Sequence, residues 1–127
     1  MDTQVLNLRD TGLTTLPENF CTLTELTTLF LDDNQLTALP ENFGMLTNLT
    51  LLFLNHNQLT ALPEDFRMLT NLTYLRLDNN PFSAELLAVP NGGNRAIPTL
   101  ASVSGYIAVF LDTQAELQAP PGDDIGV

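Results

Sequence analysis

The sequence predicts an α/β solenoid in which short strands and helical turns alternate and stack, and three observations carry this prediction. The chain matches itself at a shift of 23 residues. Within each copy, leucines alternate with other residues as they do in a strand that buries one face. A proline followed by a glutamate then recurs where a helical turn would begin. The 127 residues have the length of one domain.

Three full copies and the start of a fourth occupy residues 5–27, 28–50, 51–73 and 74–86. The second and third copies are nearly identical, and the same apolar positions recur in all of them. One copy cannot bury its own leucines, so each requires neighbours that cover it. The repeat therefore predicts a stack of turns with a continuous core.

Within the copies, three kinds of residue have predicted positions. In TLFLD (28–32), Leu29 and Leu31 face the core, and the alternate residues Thr28, Phe30 and Asp32 face outward. A phenylalanine in each turn is expected to stack into an inner spine, formed by Phe20, Phe43 and Phe66. Asparagines that follow the strands are expected to satisfy backbone groups of adjacent turns, with ligand binding as the alternative, and these are Asn34, Asn57 and Asn80.

The pattern L-x-x-L-x-L-x-x-N-x-L over roughly residues 3–86 resembles the leucine-rich-repeat family, in its 23-residue LPxxF subclass. This resemblance implies a short right-handed horseshoe with a parallel sheet on the concave face and helical or 3₁₀ turns on the convex face. It also implies a scaffold that binds other proteins. Some members of the family engage host proteins, so an exported protein of that kind is an alternative.

The domain organisation predicted from composition has three parts. Residues 1–86 form the solenoid, 87–112 a C-terminal capping helix region, and 113–127 a flexible acidic tail. Ser83 is expected to cap a short helix, and Pro98 to lie in the first turn of a second one. The apolar stripe of that second helix comprises Ile97, Leu100, Val103, Ile107, Phe110 and Leu111.

No comparable cover is expected before Val5. An open strand edge beside apolar side chains favours pairing with another chain. The sequence therefore predicts either a homodimer through this amino-terminal edge or a longer parent protein.

The aligned strands place outward-facing residues in columns across the concave face. Phe30 and Phe53 are expected to be neighbours about 4.8 Å apart, because adjacent strands have that spacing. The predicted partner-binding site consists of Phe30, Phe53, Leu51, Tyr74, Arg76, Asp32, Asp33, His56 and Asp78. The aspartates, together with Asp10, are expected to form an exposed acidic rim around the aromatic residues.

This composition predicts a protein or peptide partner that carries an apolar anchor near basic residues. Two alternatives remain open at this point. The phenylalanines can serve strand propensity alone, or the chain can be a self-associating structural unit.

The net charge of the chain argues against two other classes of partner. The formal net charge is −11 and the chain contains no lysine, so nucleic acids and anionic membrane surfaces are not expected to bind. No apolar run is long enough to cross a bilayer.

No enzymatic activity, cofactor or metal site is expected. Cys21 is predicted to be exposed on the convex face and His56 to lie at the concave border, so the two cannot form a nucleophilic pair. The aspartates lack the glycine-turned loop of a calcium site. A single cysteine is typical of a reducing compartment, which favours the cytoplasm, with an extracellular location as the alternative.

Overall fold

The computed structural model describes residues 4–83, 86 and 100–118, and within the last range the side chains from 107 onward. Each repeat contributes one three-residue strand. The strands are β1 (Val5–Asn7), β2 (Thr28–Phe30), β3 (Leu51–Phe53) and β4 (Tyr74–Arg76). The 3₁₀ turns between them are η1 (Glu18–Thr22), η2 (Phe43–Met45) and η3 (Glu64–Met68), and the helix α1 (Leu100–Gln118) follows.

The four strands form one parallel sheet in the order β1-β2-β3-β4. Its register joins residues that are one repeat apart, as in Leu29↔Leu52 and Phe30↔Phe53. Because side chains alternate along a strand, Leu29 and Leu52 are fully buried while the two phenylalanines remain half-buried on the other face. The predicted solenoid with a parallel concave sheet is confirmed.

The turns pack on one another through their phenylalanines, as predicted. The ring centroids of Phe20 and Phe43 are 6.5 Å apart, and those of Phe43 and Phe66 are 6.0 Å apart, with nearly parallel planes. The backbone N–H of Phe20 donates to the carbonyl of Pro17 at 2.9 Å. Pro17 and Pro63 have extended backbones and immediately precede η1 and η3, where a missing N–H breaks no bond of the turn.

The asparagines form the predicted ladder between repeats. Asn57 Nδ2 donates to the carbonyls of Leu31 and Leu54, at 3.0 and 3.1 Å, and its Oδ1 accepts the N–H of Leu36 at 3.0 Å. Asn34 and Asn80 make equivalent bonds. These side chains replace strand partners for backbone groups where the chain leaves the sheet.

The helix α1 covers the last repeat. Ile107, Phe110 and Leu111 are buried, and the ring of Phe110 meets that of Phe82 edge-on at 5.1 Å between centroids. Gln114 is 8% exposed; its Oε1 accepts the N–H of Leu62 at 2.9 Å and its Nε2 donates to the Leu62 carbonyl at 2.7 Å. The predicted helical cap is confirmed.

The predicted start of a flexible tail at residue 113 is wrong, because α1 continues through Gln118. The segment TQAELQ (113–118) is polar, but alanine, glutamate, leucine and glutamine are good helix formers, and Gln114 is anchored to the solenoid. Ser83 Oγ accepts the N–H of Leu86 at 3.4 Å, as a helix-capping residue would. Ile97, Pro98 and the remainder of the predicted tail lie outside the described residues.

The first repeat is less buried than those that follow. Leu6 is only partly buried, whereas its equivalents Leu29 and Leu52 have no exposed surface. Val5 in β1 and Leu23 after η1 are 55% and 42% exposed. Among the described residues, β1 pairs on one side only.

Candidate functional site

An aromatic row crosses the concave face of the sheet. The rings of Phe30 and Phe53 stack with centroids 4.7 Å apart and planes 16° apart. Tyr74 extends the row, with its ring tilted by 49° and 5.4 Å from that of Phe53. All three side chains are half-buried, as is Leu51. The strand register thus brings four of the predicted site residues together as one patch of apolar surface, which we name the aromatic patch.

Arg76 ends the row but is held in place by Asp78. Its Nε and Nη2 donate to the two carboxylate oxygens of Asp78, at 3.0 and 2.6 Å. Burial alone would raise the pKa of Asp78, but the hydrogen bonds and the charge of Arg76 outweigh it, so that this pKa is lowered. The guanidinium of Arg76 is therefore engaged within the chain.

Two residues after each of the stacked phenylalanines lies a buried polar side chain. Asp32 and Asn55 are each 6% exposed, and Asp32 Oδ1 and Asn55 Oδ1 have no hydrogen-bond partner among the described residues. The other oxygen of Asp32, Oδ2, lies 2.9 Å from Nε of Arg9. That same Nε donates to Asp33 Oδ2 at 3.1 Å. Arg9 therefore lies against two aspartates of the neighbouring repeat while its own side chain remains 60% exposed.

The border of the concave face is formed by residues with left-handed backbone. Asp10, Asp33, His56 and Asn79 have φ values of 56°, 59°, 59° and 60°. Aspartate, asparagine and histidine tolerate this conformation better than most residues. The side chains of His56 and Asn79 are in contact, with 3.2 Å between Nε2 and Nδ2. His56 is exposed, so it lies at the border as the sequence predicts.

The acidic rim differs from its prediction. Asp10 is exposed and Asp33 is half-buried, but Asp32 and Asp78 are 6% and 8% exposed and each is paired with an arginine. Long arginine side chains of the same or a neighbouring repeat cover these outward-facing carboxylates. The repeat spacing of the sequence does not reveal this cover. Arg9 is not among the predicted site residues. It lies one 23-residue period before Asp32, and that spacing was the available signal.

Cys21 is 3% exposed, so the predicted exposed thiol is wrong. The equivalent residue of the next repeat is Gly44, where a Cβ would lie 2.0 Å from the carbonyl oxygen of Asp65. The turns are therefore packed in direct contact at this position, which buries both Cys21 and Gly44. Burial raises the pKa of the Cys21 thiol, and the nearby acidic residues Asp65 and Glu18 raise it further.

Two further observations concern metals and membranes. Within residues 4–83, 86 and 100–118, no group of three or more histidine, cysteine, aspartate or glutamate side chains is placed to hold a metal ion. In that same part of the chain, no helix combines the length and apolar character needed to span a bilayer.

The fold and the concave surface define a repeat protein of the solenoid class. Residues 24–82 match the family model described as leucine rich repeat. Among solved structures, a leucine-rich-repeat protein of Leptospira interrogans is 43% identical to the chain, with a TM-score of 0.62. The match covers 64% of this chain and 21% of that one, so this chain spans about a fifth of the length of the Leptospira protein. No curated protein matches the chain.

Residues 24–82 of the chain therefore match the leucine-rich-repeat family, and the solved structure it resembles is a protein of that family. Members of this family are typically protein-interaction modules rather than enzymes.

Proposed function

We propose that this chain binds a protein or peptide partner on its concave face, with the aromatic patch as the apolar anchor. The single observation that carries the proposal is the stacked pair of Phe30 and Phe53, which stays half-exposed although fully buried positions lie next to it in both strands. Aromatic residues beside an arginine are typical of interface hot spots. The net charge of −11 favours a partner with basic residues.

The size of the sheet limits the strength of this contact. Four three-residue strands about 4.8 Å apart, with about 3.3 Å per residue, offer roughly 190 Å², compared with about 800 Å² per partner in a standard interface. A tight complex must therefore extend over the border residues, such as Asp33 and His56, or over adjacent loops.

The experiment compares two double variants as bait for the same cell extract, with bound proteins quantified by mass spectrometry. Phe30→Ala/Phe53→Ala removes the anchor. The control Met45→Ala/Met68→Ala removes apolar side chains that are each 52% exposed in the turns of the opposite face. We expect the first variant to lose a specific set of partners that the control and the unaltered chain retain.

Thermal unfolding of each variant verifies that the solenoid is intact. A set of partners that both double variants retain equally would overturn the proposal. The same partners can then be measured singly with purified proteins, where truncation of the aromatic pair should weaken binding by at least about 2 kcal/mol.

A second candidate function is self-association through β1. It is favoured by the exposure of Val5 and Leu23 and by the incomplete burial of Leu6, at an edge where β1 lacks a further strand among the described residues. Sedimentation equilibrium tests it by comparing the unaltered chain with Val5→Lys, which places a charge on the edge. The control is Val109→Lys on α1, where the native side chain is 47% exposed.

A dimer that dissociates in Val5→Lys and persists in Val109→Lys would support this candidate. A monomer at all concentrations would exclude it.

A further inference from the structure

Beside the aromatic patch lies a group of acceptor oxygens whose hydrogen-bonding capacity is only partly used. Asp32 Oδ1 and Asn55 Oδ1 are buried without a hydrogen-bond partner among the described residues. A buried acceptor without a partner has lost its hydrogen bonds to water without replacement, so a donor that reached these oxygens would be bound favourably. Both residues lie two positions beyond the stacked phenylalanines on adjacent strands.

A guanidinium of the chain itself already occupies part of this position. Arg9 is in contact with Asp32 Oδ2 and Asp33 Oδ2 through Nε, at 2.9 and 3.1 Å, while 60% of its side chain is exposed. In this pair the Asp32 carboxylate is buried and the Arg9 side chain is largely exposed, so Arg9 can leave the carboxylate without unpacking the sheet. Arg9 can therefore be displaced by another guanidinium that reaches the same oxygens.

We propose that Asp32, Asp33 and Asn55 form an arginine-binding subsite, and that Arg9 is its internal occupant, which an arginine of the partner replaces. This inference rests on the proposed function, because the subsite adjoins the aromatic patch. A guanidinium fits better than an ammonium, since it offers five donors in one plane and its face stacks on aromatic rings such as that of Phe30.

The ion pairs of Asp32 and Asp78 agree with this assignment. Among the described residues, Asp32 has its contact ion pair with Arg9, whereas Asp78 accepts two hydrogen bonds from Arg76 in bidentate geometry and one from Asn79. Asp78 therefore has a fixed partner, whereas the partner of Asp32 can be exchanged. The exchangeable carboxylate is also the one with an unpaired buried oxygen.

The experiment is a titration followed by ¹H–¹⁵N chemical shifts at low ionic strength. The probe is the peptide acetyl-Leu-Arg-Leu-amide, and its control replaces arginine by citrulline, which has nearly the same shape without the charge. The tested variant is Arg9→Gln. We expect it to bind the arginine peptide about two- to fivefold more tightly than the unaltered chain, because the internal competitor is gone.

Removing an arginine also makes the net charge more negative, which attracts any cation. The matched control is therefore Arg67→Gln, which makes the same change of charge on η3, where Arg67 pairs with Glu64. This control should show only the small gain that the change in net charge causes, and less gain than Arg9→Gln. Adding Asp32→Asn to Arg9→Gln should abolish the gain; Asp33→Asn provides a second test if the buried substitution disturbs folding.

Arg9→Gln that binds the arginine peptide no more tightly than Arg67→Gln overturns the inference, as does an equal gain with the citrulline peptide. If the inference fails in this way but Phe30→Ala/Phe53→Ala still abolishes partner binding, the proposed function stands without the subsite. If the arginine peptide binds as expected but the aromatic double variant retains every partner, the proposed function fails and the subsite remains as a separate arginine site.

Discussion

At the scale of single residues, the same side chain has different roles at different places in the repeat. Asparagine at 34, 57 and 80 is buried and joins one turn to the next. Two residues earlier in the sequence, Asn55 is equally buried but its oxygen has no partner among the described residues. The first group joins adjacent repeats, whereas the Asn55 oxygen makes no such bond among the described residues.

Asn57→Ala should lower the free energy of unfolding by about 1–3 kcal/mol, because it leaves backbone groups of two repeats buried without partners. Urea denaturation measures this. Gln58→Ala, at an exposed neighbouring position, is the control and should change stability by less than about 0.5 kcal/mol. Equal effects of the two substitutions would show that the ladder does not stabilise the stack.

The pair of Asp78 and Arg76 should make stability depend on pH. The pKa of Asp78 is lowered from its ordinary value of 3.8, so near that pH the folded chain binds fewer protons there than the unfolded chain. The stabilising contribution is therefore present above pH 3.8 and is lost as the pH falls through the lower, folded-state pKa.

Asp78→Asn removes this contribution. The difference in unfolding free energy between the unaltered chain and the variant should shrink as the pH falls below 3.8, as followed by chemical denaturation at a series of pH values. A difference that stays constant across the acidic range would contradict the assigned direction of the shift.

At the scale of elements, the turns and α1 are positioned by contacts with backbone groups as well as by apolar packing. Gly44 allows η2 and η3 to approach until its missing Cβ would lie 2.0 Å from the Asp65 carbonyl. On the same side, Gln114 of α1 binds both backbone groups of Leu62. The helix thus gives the last turn the polar partners that a further repeat would otherwise provide.

Gln114→Ala should destabilise the chain by about 2–4 kcal/mol, since both backbone groups of Leu62 lose a buried partner at once. Thermal and urea unfolding measure the change. Gln118→Ala removes an exposed glutamine from the same helix and should be nearly neutral. If Gln114→Ala were equally neutral, α1 would be held by its apolar residues alone.

At the scale of the whole molecule, burial increases from the first repeat into the stack. In a solenoid each repeat contacts only its neighbours, so stability is close to a sum of repeat and interface terms. Leu6, Leu29 and Leu52 hold the same place in successive repeats, but only the first is partly exposed.

Leu29→Ala and Leu52→Ala should each lower the free energy of unfolding by about 2–5 kcal/mol, and Leu6→Ala by clearly less. Denaturant unfolding of the three variants provides the comparison, in which each serves as a control for the others. Equal losses at all three positions would mean that the first repeat is as well covered as the central ones.

Much of this architecture could be predicted from the sequence. The strands, their register, the phenylalanine spine and the asparagine ladder all follow from one period, because repeats of equal length must place equivalent residues side by side. The juxtaposition of Phe30, Phe53 and Tyr74 follows for the same reason.

The ion pairs, the side-chain hydrogen bonds and the degree of burial of individual polar residues could not be predicted. The burial of Cys21 depends on the close approach of turns at Gly44, and that of Asp32 and Asp78 on arginines from the same or a neighbouring strand. The extension of α1 to Gln118 depends on a contact with Leu62, which is 52 residues away in the sequence.

By itself, then, the sequence determined which residues repeat and which face of the sheet each one occupies, because alternation along a strand and a constant period are local properties of the chain. Only the tertiary structure decided which polar atoms are satisfied. Hydrogen bonds and ion pairs require contact between atoms, and such contacts depend on side-chain directions and on the distance between turns, which no pattern of residue types specifies.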